Sequence, residues 1–164
     1  MGRVLLAAIV GMVLGIGGFT FYYGEGHSYF SENPEACMNC HIMKPQFDSW
    51  QKSSHHTLAT CVDCHLPAEV PGKYLAKAEN GFNHSRAFTM QDFREPIAIT
   101  GKNSRILQER CIACHRALVH ELVYVGGTGE GAVGCVHCHR GAGHGERVGL
   151  GGPGGREEEG IGEQ

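Results

Sequence analysis

The hydrophobic pattern begins with a run that contains no charged residue, from Val4 to Tyr23. About twenty helical residues extend about 30 Å, which is the thickness of the hydrocarbon core of a bilayer. Arg3 precedes the run and two tyrosines end it, as expected for a helix with a positive cytoplasmic end and aromatic residues at the opposite interface. Residues 1–24 are therefore predicted to form a single transmembrane anchor.

A cleaved signal peptide is the alternative for this segment. The run is long for the apolar part of a signal peptide, and no A-x-A-like cleavage site follows it before Glu25. We therefore favour an uncleaved anchor. Because the positive N-terminus is expected to stay inside, the rest of the chain would face the periplasm, at the inner (cytoplasmic) membrane of a bacterium.

Three further segments place apolar residues at helical spacing. The first begins at Lys44, with Phe47 and Trp50 on one face. The second, VPGKYLAKAENGFNHSRAF, is expected near the membrane, and the third is SRILQERCIACHRALVHELVY, with a bend around its CIACH sequence. This pattern predicts a mainly α, loop-rich domain over residues 25–147. The remaining residues, 148–164, are rich in glycine and glutamate and are predicted to be a disordered tail.

All cysteines of the chain occur in four copies of the pattern Cys-x-x-Cys-His. This pattern is the attachment site of a c-type haem, because two thioethers hold the porphyrin edge while the adjacent histidine reaches the iron. A disulfide framework would not place a histidine after each pair, and zinc would not need one in all four copies. The motifs are Cys37, Cys40 and His41; Cys61, Cys64 and His65; Cys111, Cys114 and His115; Cys135, Cys138 and His139.

The four motifs fall into two pairs with equal spacing. Cys61 follows Cys37 by 24 positions, and Cys135 follows Cys111 by 24. Equal spacing is a hint of a duplicated two-haem unit.

Composition leaves little material for a conventional core. The chain has 164 residues, of which 25 are glycine, and its apolar residues are concentrated in the N-terminal run. Four covalently bound haems can supply the missing interior, so we expect a small multihaem cytochrome c domain that folds once they are attached. The net charge of -3 is weak, and the glycine-rich stretch 126–134 lacks a phosphate-loop lysine, so neither nucleic acid nor nucleotide is expected as a ligand.

Additional histidines are needed as axial ligands. Of the 11 histidines, seven lie outside the motif ligand positions. Ligation by two histidines closes the iron to substrates and suits electron transfer. His27 adjoins the membrane helix and His137 lies inside a motif, so both are poor candidates. The candidate distal ligands are His55 or His56, His144, and one of His84 or His120.

Met43 lies two residues beyond the first motif histidine, His41. If its thioether replaces that histidine on the iron, the potential of the first haem rises relative to the others. This haem is also the nearest to the membrane anchor, since Cys37 is only 14 residues from Tyr23. A site that accepts electrons from a carrier dissolved in the membrane is therefore expected there.

Several quoted stretches resemble one known family. The sequences CMNCHIM, WQKSSHH before CVDCHLP, KAENGFNHS and CHRGAGH, behind a single N-terminal helix, resemble the NapC/NirT family of membrane-anchored quinol dehydrogenases, over roughly residues 1–147. The resemblance implies a tetrahaem cytochrome that oxidises menaquinol. It also implies transfer of the electrons to a periplasmic reductase, with the pentahaem cytochrome c nitrite reductase as the first candidate partner.

The resemblance also implies a set of ligands. Met43 would bind the first haem and leave its other face to the quinol pocket. His55 would ligate the fourth haem opposite His139, and His144 would ligate the third opposite His115.

The second haem, on His65, would then lack an obvious distal ligand. His84 or His120 would fill this position, or a residue of the partner subunit would do so.

One stretch departs from the family pattern. Related chains carry KAxDG after the second motif, whereas this chain carries KAENG, which places Asn80 where the family has a carboxylate. Glu79 is the candidate substitute.

Oxidation of a hydroquinone releases two protons, so the quinol pocket needs a proton acceptor. Lys73, Lys77, Glu69, Glu79 and Asp92 are the ionisable groups on the segment expected to face the membrane. A lysine would donate a hydrogen bond to the quinone oxygen while a carboxylate or water takes the proton. The alternative is that the two lysines contact lipid phosphates.

Two other functions are compatible with four haem motifs. One is a passive electron-transfer module that receives electrons from another membrane subunit. The other is a terminal reductase acting on nitrite or hydroxylamine. No cluster of Arg, His and Lys marks an anion pocket around a motif without its histidine, so the sequence disfavours the second.

Overall fold

The computed structural model describes residues 1–93, 96–119 and 134–145. Within these ranges the backbone forms helices and turns, and no strand occurs. The prediction of a mainly α, loop-rich chain is therefore confirmed for this part of the protein. The predicted tail, the end of the predicted domain at 147 and most of the glycine-rich stretch lie outside the described residues.

The first helix, α1, comprises Gly2–Tyr23. None of its residues is buried against the rest of the protein, although its mean hydropathy reaches 2.3. An exposed apolar helix of this length needs an apolar solvent, because its side chains would otherwise remain in water. The predicted membrane-spanning helix is confirmed in position and length, and by composition it suits a bilayer.

The chain turns sharply between α1 and the first motif. A 3₁₀ turn at Gly26–Phe30 follows Glu25, which adopts a left-handed conformation with φ 57°. The short helix α2, Pro34–Cys37, then begins behind Asn33, whose side chain accepts a hydrogen bond from the backbone amide of Glu35 at 3.0 Å. The 3₁₀ turn contacts α1 and α2, so the first motif lies close to the end of the membrane helix.

The next elements place the second motif. A 3₁₀ turn at His41–Met43 leads directly into α3, Lys44–Trp50, as the sequence predicted. The indole of Trp50 donates a hydrogen bond to the carbonyl of Ala59 at 3.0 Å, which fixes the turn that precedes α4, Cys61–His65.

Two long helices carry most of the remaining structure. α5, Val70–Met90, and α6, Gly101–Val119, match the second and third predicted helices. α6 departs from helical geometry at His115, with φ -97° and ψ 16°, which is the expected bend at the third motif. The short helices α7, Cys135–Cys138, and α8, Gly141–His144, complete the described chain.

The described residues bury very few apolar side chains. Only Leu66, Ala76 and Ile106 are buried, and no side chain among them has less than 2% of its surface exposed. Three buried apolar residues provide far less hydrophobic stabilisation than a domain of this length needs. This shortage agrees with the expectation that bound macrocycles supply the interior of the domain.

A capping box holds the start of α4. The Thr60 hydroxyl donates a hydrogen bond to the Asp63 carboxylate at 2.7 Å, and the Thr60 backbone amide donates to the same carboxylate at 2.8 Å. These bonds hold the pKa of Asp63 below its usual range. The second motif therefore begins on a backbone that its own side chains fix.

Replacing Thr60 with alanine is expected to lower the free energy of unfolding by about 1 kcal/mol, because the first turn of α4 loses its cap. Guanidinium unfolding followed by haem absorbance and circular dichroism measures the effect. Thr57→Ala is the matched control, since Thr57 is exposed on the preceding turns. Equal stability of the two variants would contradict the role of the cap.

Candidate functional site

The first and second motifs are in direct contact through their cysteines. The Cys61 thiol donates a hydrogen bond to the sulfur of Cys37, which lowers the pKa of Cys37 to about 7. The same bond, together with burial, raises the pKa of Cys61 well above its ordinary value. Both groups are free thiols here and stand for the thioether sulfurs of an attached haem, which do not titrate. What remains valid after haem attachment is that the first and second attachment sites are adjacent.

The remaining motifs continue this series. α4 packs against α6, and α6 packs against α7, so the second motif adjoins the third and the third adjoins the fourth. Arg110 of α6 donates a hydrogen bond to the carbonyl of Asp63 at 2.7 Å, and Gln108 accepts one from the amide of Cys135, also at 2.7 Å. The four motifs are thus arranged in the order of the sequence.

Histidines from distant parts of the chain meet in two pairs. The ring centres of His55 and His115 are 6.0 Å apart, and those of His65 and His144 are 6.1 Å apart. Two imidazoles that bind one metal from opposite sides, each through a bond of about 2 Å, hold their ring centres about 6 Å apart. Burial, and to a smaller extent His144, lowers the pKa of His65, which favours the neutral imidazole that binds metals.

The orientation of the two non-motif histidines also suits metal binding. His55 donates a hydrogen bond through Nδ1 to the carbonyl of Ala142 at 2.8 Å, and His144 donates through Nδ1 to the carbonyl of Gln46 at 3.0 Å. A carbonyl accepts but does not donate, so Nδ1 carries the proton in both rings. Nε2 is therefore left as the free lone pair, which is the arrangement found in histidine ligands of metals.

These pairs differ from those that the family resemblance implied. His55 lies beside His115 and not beside His139, and His144 lies beside His65 and not beside His115. α8 packs on α3, where its residues Ala142 and His144 bond to His55 and to the carbonyl of Gln46.

Two of the predicted axial ligands, His139 and His84, have no histidine partner among the described residues. His139 follows α7 and is exposed. His84 lies against a tyrosine, as described below. His120 falls outside the described residues.

Met43 and His41 share one 3₁₀ turn. The amide of Met43 donates to the carbonyl of Cys40 at 2.8 Å, which closes the turn directly after the first motif. Met43 is half-buried, whereas His41 is exposed. Both side chains remain candidates for the first haem, and the thioether is the more enclosed of the two.

Two lysines of α5 face the segment before the first motif. Lys77 is buried and donates a hydrogen bond to the carbonyl of Ser31 at 2.9 Å. One turn earlier, Lys73 forms an ion pair with Glu32. Lys73 holds the pKa of Glu32 below its usual range, through a hydrogen bond and its charge. The lysines therefore lie against the segment that precedes the first motif, and their place in a quinol pocket stays a prediction.

The same contact continues for two further turns of α5, to His84. The Tyr29 hydroxyl lies 3.4 Å from Nδ1 of His84. A Cβ atom at Gly81 would be only 3.1 Å from the Tyr29 ring, so glycine allows the ring to lie against the helix. Tyr29 and Glu32 were missed by the sequence analysis, because no periodicity marks them and only their position between anchor and motif pointed to them.

The other predicted groups of α5 face elsewhere. Glu79 forms an ion pair with Lys102 of α6. Asn80 is half-buried and accepts a hydrogen bond from the side-chain amide of Asn103 at 3.1 Å. The departure from the family pattern at position 80 thus places a pair of side-chain amides between α5 and α6. The carboxylate of the adjacent Glu79 is paired with Lys102.

Asp92 and Glu69 are the two remaining ionisable groups that were predicted on the segment facing the membrane. Asp92 pairs with Arg86 at 2.6 Å, and Glu69 is an exposed residue at the start of α5. In the part of the chain that the structure describes, no three side chains of His, Cys, Asp or Glu converge to bind a bare metal ion. Paired imidazoles instead suit a metal whose other ligands come from a macrocycle.

Comparison with known proteins places the chain in context. The profile of the NapC/NirT cytochrome c family, N-terminal region, matches residues 2–108. The chain is 35% identical over 154 residues to the cytochrome c-type protein NrfH of Wolinella succinogenes, a match that covers 87% of each chain. It is 29% identical over 119 residues to the cytochrome c nitrite reductase subunit NrfH of Nitratidesulfovibrio vulgaris, covering 73% of this chain and 71% of that one. A crystal structure of the cytochrome c nitrite reductase NrfHA complex bound to the inhibitor HQNO has a similar fold, with a TM-score of 0.61 at 24% identity, covering 87% of this chain and 90% of that one.

Proposed function

The chain belongs to the NapC/NirT cytochrome c family, and from that premise we propose that it is a membrane-anchored quinol dehydrogenase of a nitrite reductase complex. It oxidises menaquinol at the first motif and passes the electrons to a periplasmic reductase, with the pentahaem cytochrome c nitrite reductase as the intended partner. Two of the most similar relatives are NrfH proteins, and one is described as a subunit of cytochrome c nitrite reductase.

The serial contact of the four motifs is the observation that carries this proposal. Each motif adjoins the next in sequence order, from the end of the membrane helix to the fourth motif. A haem, when bound, supplies an iron that takes up and gives back one electron at a time. Four attachment sites in series therefore support a path for electrons from the membrane to a partner at the far end.

The geometry also supports a ligand assignment. His65 and His144 would hold the second haem, and His115 and His55 the third. Met43 would hold the first.

His139 would hold the fourth haem. Its second ligand would be His120 or a residue of the partner subunit.

The quinol pocket is proposed between α5 and the segment before the first motif. Lys77 keeps two of its three ammonium hydrogens for a quinone oxygen, since one is donated to Ser31. Lys73 would lie beside Lys77 in the pocket, where its ammonium group is paired with the carboxylate of Glu32. The pocket adjoins the 3₁₀ turn that contacts α1, so a lipid-soluble substrate would reach it from the bilayer.

Glu79 and Asn80 are proposed to support this pocket from the side of α6. Their bonds to Lys102 and Asn103 hold the middle of α5 in place. They would therefore position α5 more than they contact the quinol.

The anchor is proposed to lie in the inner membrane, with the haem domain in the periplasm. Arg3 provides the positive end that stays in the cytoplasm. Covalent haem attachment in the periplasm agrees with this orientation.

The purified wild-type protein with a quinol analogue and the nitrite reductase subunit tests the proposal. Nitrite reduction that depends on quinol is expected only when both proteins are present. An absence of quinol oxidation would indicate a passive module, and nitrite reduction by this chain alone with a chemical reductant would indicate a terminal reductase. Quinol oxidation without transfer to nitrite reductase would indicate another periplasmic reductase as the partner.

A further inference from the structure

One hydrogen-bonded pair at the first motif has no role in the function described so far. The segment 29–32 runs along α5 in a regular series of contacts: Glu32 with Lys73, the Ser31 carbonyl with Lys77, and Tyr29 with His84. The first two contacts engage the lysines of the proposed quinol pocket. The third lies on the same face of α5 and ends at an exposed residue, His84.

We propose that Tyr29 and His84 form the proton exit of the quinol site, with His84 as the proton acceptor and Tyr29 as the group that connects it to the quinol. This inference rests on the proposed quinol dehydrogenase function. It assigns the acceptor to an imidazole and not to a carboxylate.

The position of Tyr29 suits this role. The tyrosine lies in the 3₁₀ turn that contacts α1, α2 and α5, so it is located between the membrane helix and the first motif. Its ring lies near Cys40 and Cys37, the two attachment residues of the first motif. The hydroxyl points to Nδ1 of His84, so one hydrogen bond joins the surroundings of the first haem site to an exposed imidazole.

Three of the carboxylates on or near α5 are poor alternatives to His84 as the proton acceptor. Glu32, Glu79 and Asp92 each form an ion pair, with Lys73, Lys102 and Arg86 respectively. A paired cation stabilises the ionised carboxylate and opposes its protonation. Among the described residues His84 forms no ion pair, and its hydrogen bond is to a neutral phenol.

Protonation equilibria agree with the assignment. Burial lowers the pKa of His84, so the ring is neutral at pH 7 and can accept a proton. Burial also raises the pKa of Tyr29, so the phenol keeps its proton and can donate it.

The charged groups around His84 do not alter this picture. The 3₁₀ turn packed against α5 contributes His27, which pairs with Glu25, and Tyr29 itself. On α5, the ammonium of Lys77 is bonded to Ser31 and Arg86 is paired with Asp92. α6 contributes Lys102, which is paired with Glu79.

Both protons of the hydroquinone leave through the same pair of side chains. Each quinol O–H bond breaks, and its proton moves to the phenol oxygen while the phenol proton moves to Nδ1 of His84. The imidazolium then loses its other proton from Nε2 to water, which leaves the ring protonated at Nδ1. Proton exchange of the exposed ring with water restores the Nε2–H tautomer, and the phenol O–H turns back toward Nδ1, before the second transfer. The two electrons of the hydroquinone would be taken up by ferric c-type haems attached to this chain, and the product is the quinone.

Three variants in the full-length, haem-loaded protein test the proposal: His84→Gln, Tyr29→Phe and the control His27→Gln. His84→Gln and Tyr29→Phe are expected to lower kcat for quinol oxidation about tenfold, with unchanged KM, because proton transfer and not binding is impaired. The wild-type rate should fall at acid pH, below the ordinary imidazole pKa, because partial burial lowers the pKa of His84. This acid limb should be absent in His84→Gln. External imidazole should restore the rate of a His84→Ala variant.

Two measurements do not depend on turnover. Binding of a quinone-site inhibitor, followed by its fluorescence, should be unchanged in all three variants. Redox difference infrared spectra should show a protonated imidazole band after quinol oxidation that His84→Gln lacks and His27→Gln retains. Haem content and redox titration confirm that each variant is folded.

The outcomes separate this inference from the function on which it rests. A wild-type protein that does not oxidise quinol would refute the proposed function, and the proton exit with it. A wild-type protein that does oxidise quinol, with kcat and pH profile preserved in both His84→Gln and Tyr29→Phe, would refute the proton exit alone.

Discussion

Replacing Met43 with alanine is expected to lower the rate of quinol oxidation about a hundredfold, while the other three haems keep their spectra. A thioether ligand holds a haem at a higher potential than an imidazole does. Without it, the exposed His41 of the same 3₁₀ turn is the nearest replacement, and the potential of the first haem should fall. A fall of about 120 mV corresponds to a factor of a hundred in a one-electron equilibrium.

The measurement combines a redox titration with quinol-analogue turnover at equal haem content. Met43→Leu separates ligation from packing, because leucine keeps most of the side-chain volume but has no sulfur. Met38→Leu, within the same motif, is the matched control. Normal turnover in Met43→Leu would mean that Met43 packs against its neighbours, that His41 binds the iron, and that the quinol site lies elsewhere.

Replacing His144 with alanine is expected to convert one haem, and only one, from low spin to high spin. His144 is the partner of His65 at a ring separation of 6.1 Å, and its loss leaves one axial position without a protein ligand. Electron paramagnetic resonance with spin quantitation gives the number of high-spin haems in each molecule. His56→Ala is the control, since its ring packs against Trp50 at 5.2 Å and not against another histidine.

The double variant His65→Ala, His144→Ala distinguishes the pairing seen here from the one implied by the family resemblance. If the two histidines share one iron, the double variant affects a single haem. If His144 serves the third haem, opposite His115, the double variant affects two. Samples are compared only at four haems per chain, established by the pyridine haemochrome assay, so that loss of attachment is not mistaken for loss of a ligand.

The elements of the fold were predictable where the signal is local. α1 follows from an uninterrupted apolar run, and α3, α5 and α6 follow from apolar residues at helical spacing. The bend of α6 at His115 was also predictable, because the third motif lies within that helix. Each of these features depends on residues within a few turns of one another.

The parts of the candidate site that are encoded by neighbouring residues were also predictable. The four Cys-x-x-Cys-His motifs identify the haem attachment sites, because the two thioethers and the ligand come from one short turn. Lys73 and Lys77 were expected on a segment that faces the membrane, and the structure places them against Glu32 and Ser31, just before the first motif. Their role at a quinol pocket stays a prediction. The chain's membership of its family follows from these same local stretches.

Only the tertiary structure decided which distant residues meet. His55 joins His115 across 60 positions, and Tyr29 joins His84 across 55, although no periodicity in the sequence connects either pair. These contacts depend on how α8 packs on α3 and how the segment after α1 runs along α5. The sequence by itself thus determined the helices, the anchor and the haem attachment sites, since each is encoded by neighbouring residues. The histidine pairs, the contacts between successive motifs and the Tyr29–His84 pair required the folded chain, because long-range contacts arise from the packing of whole elements.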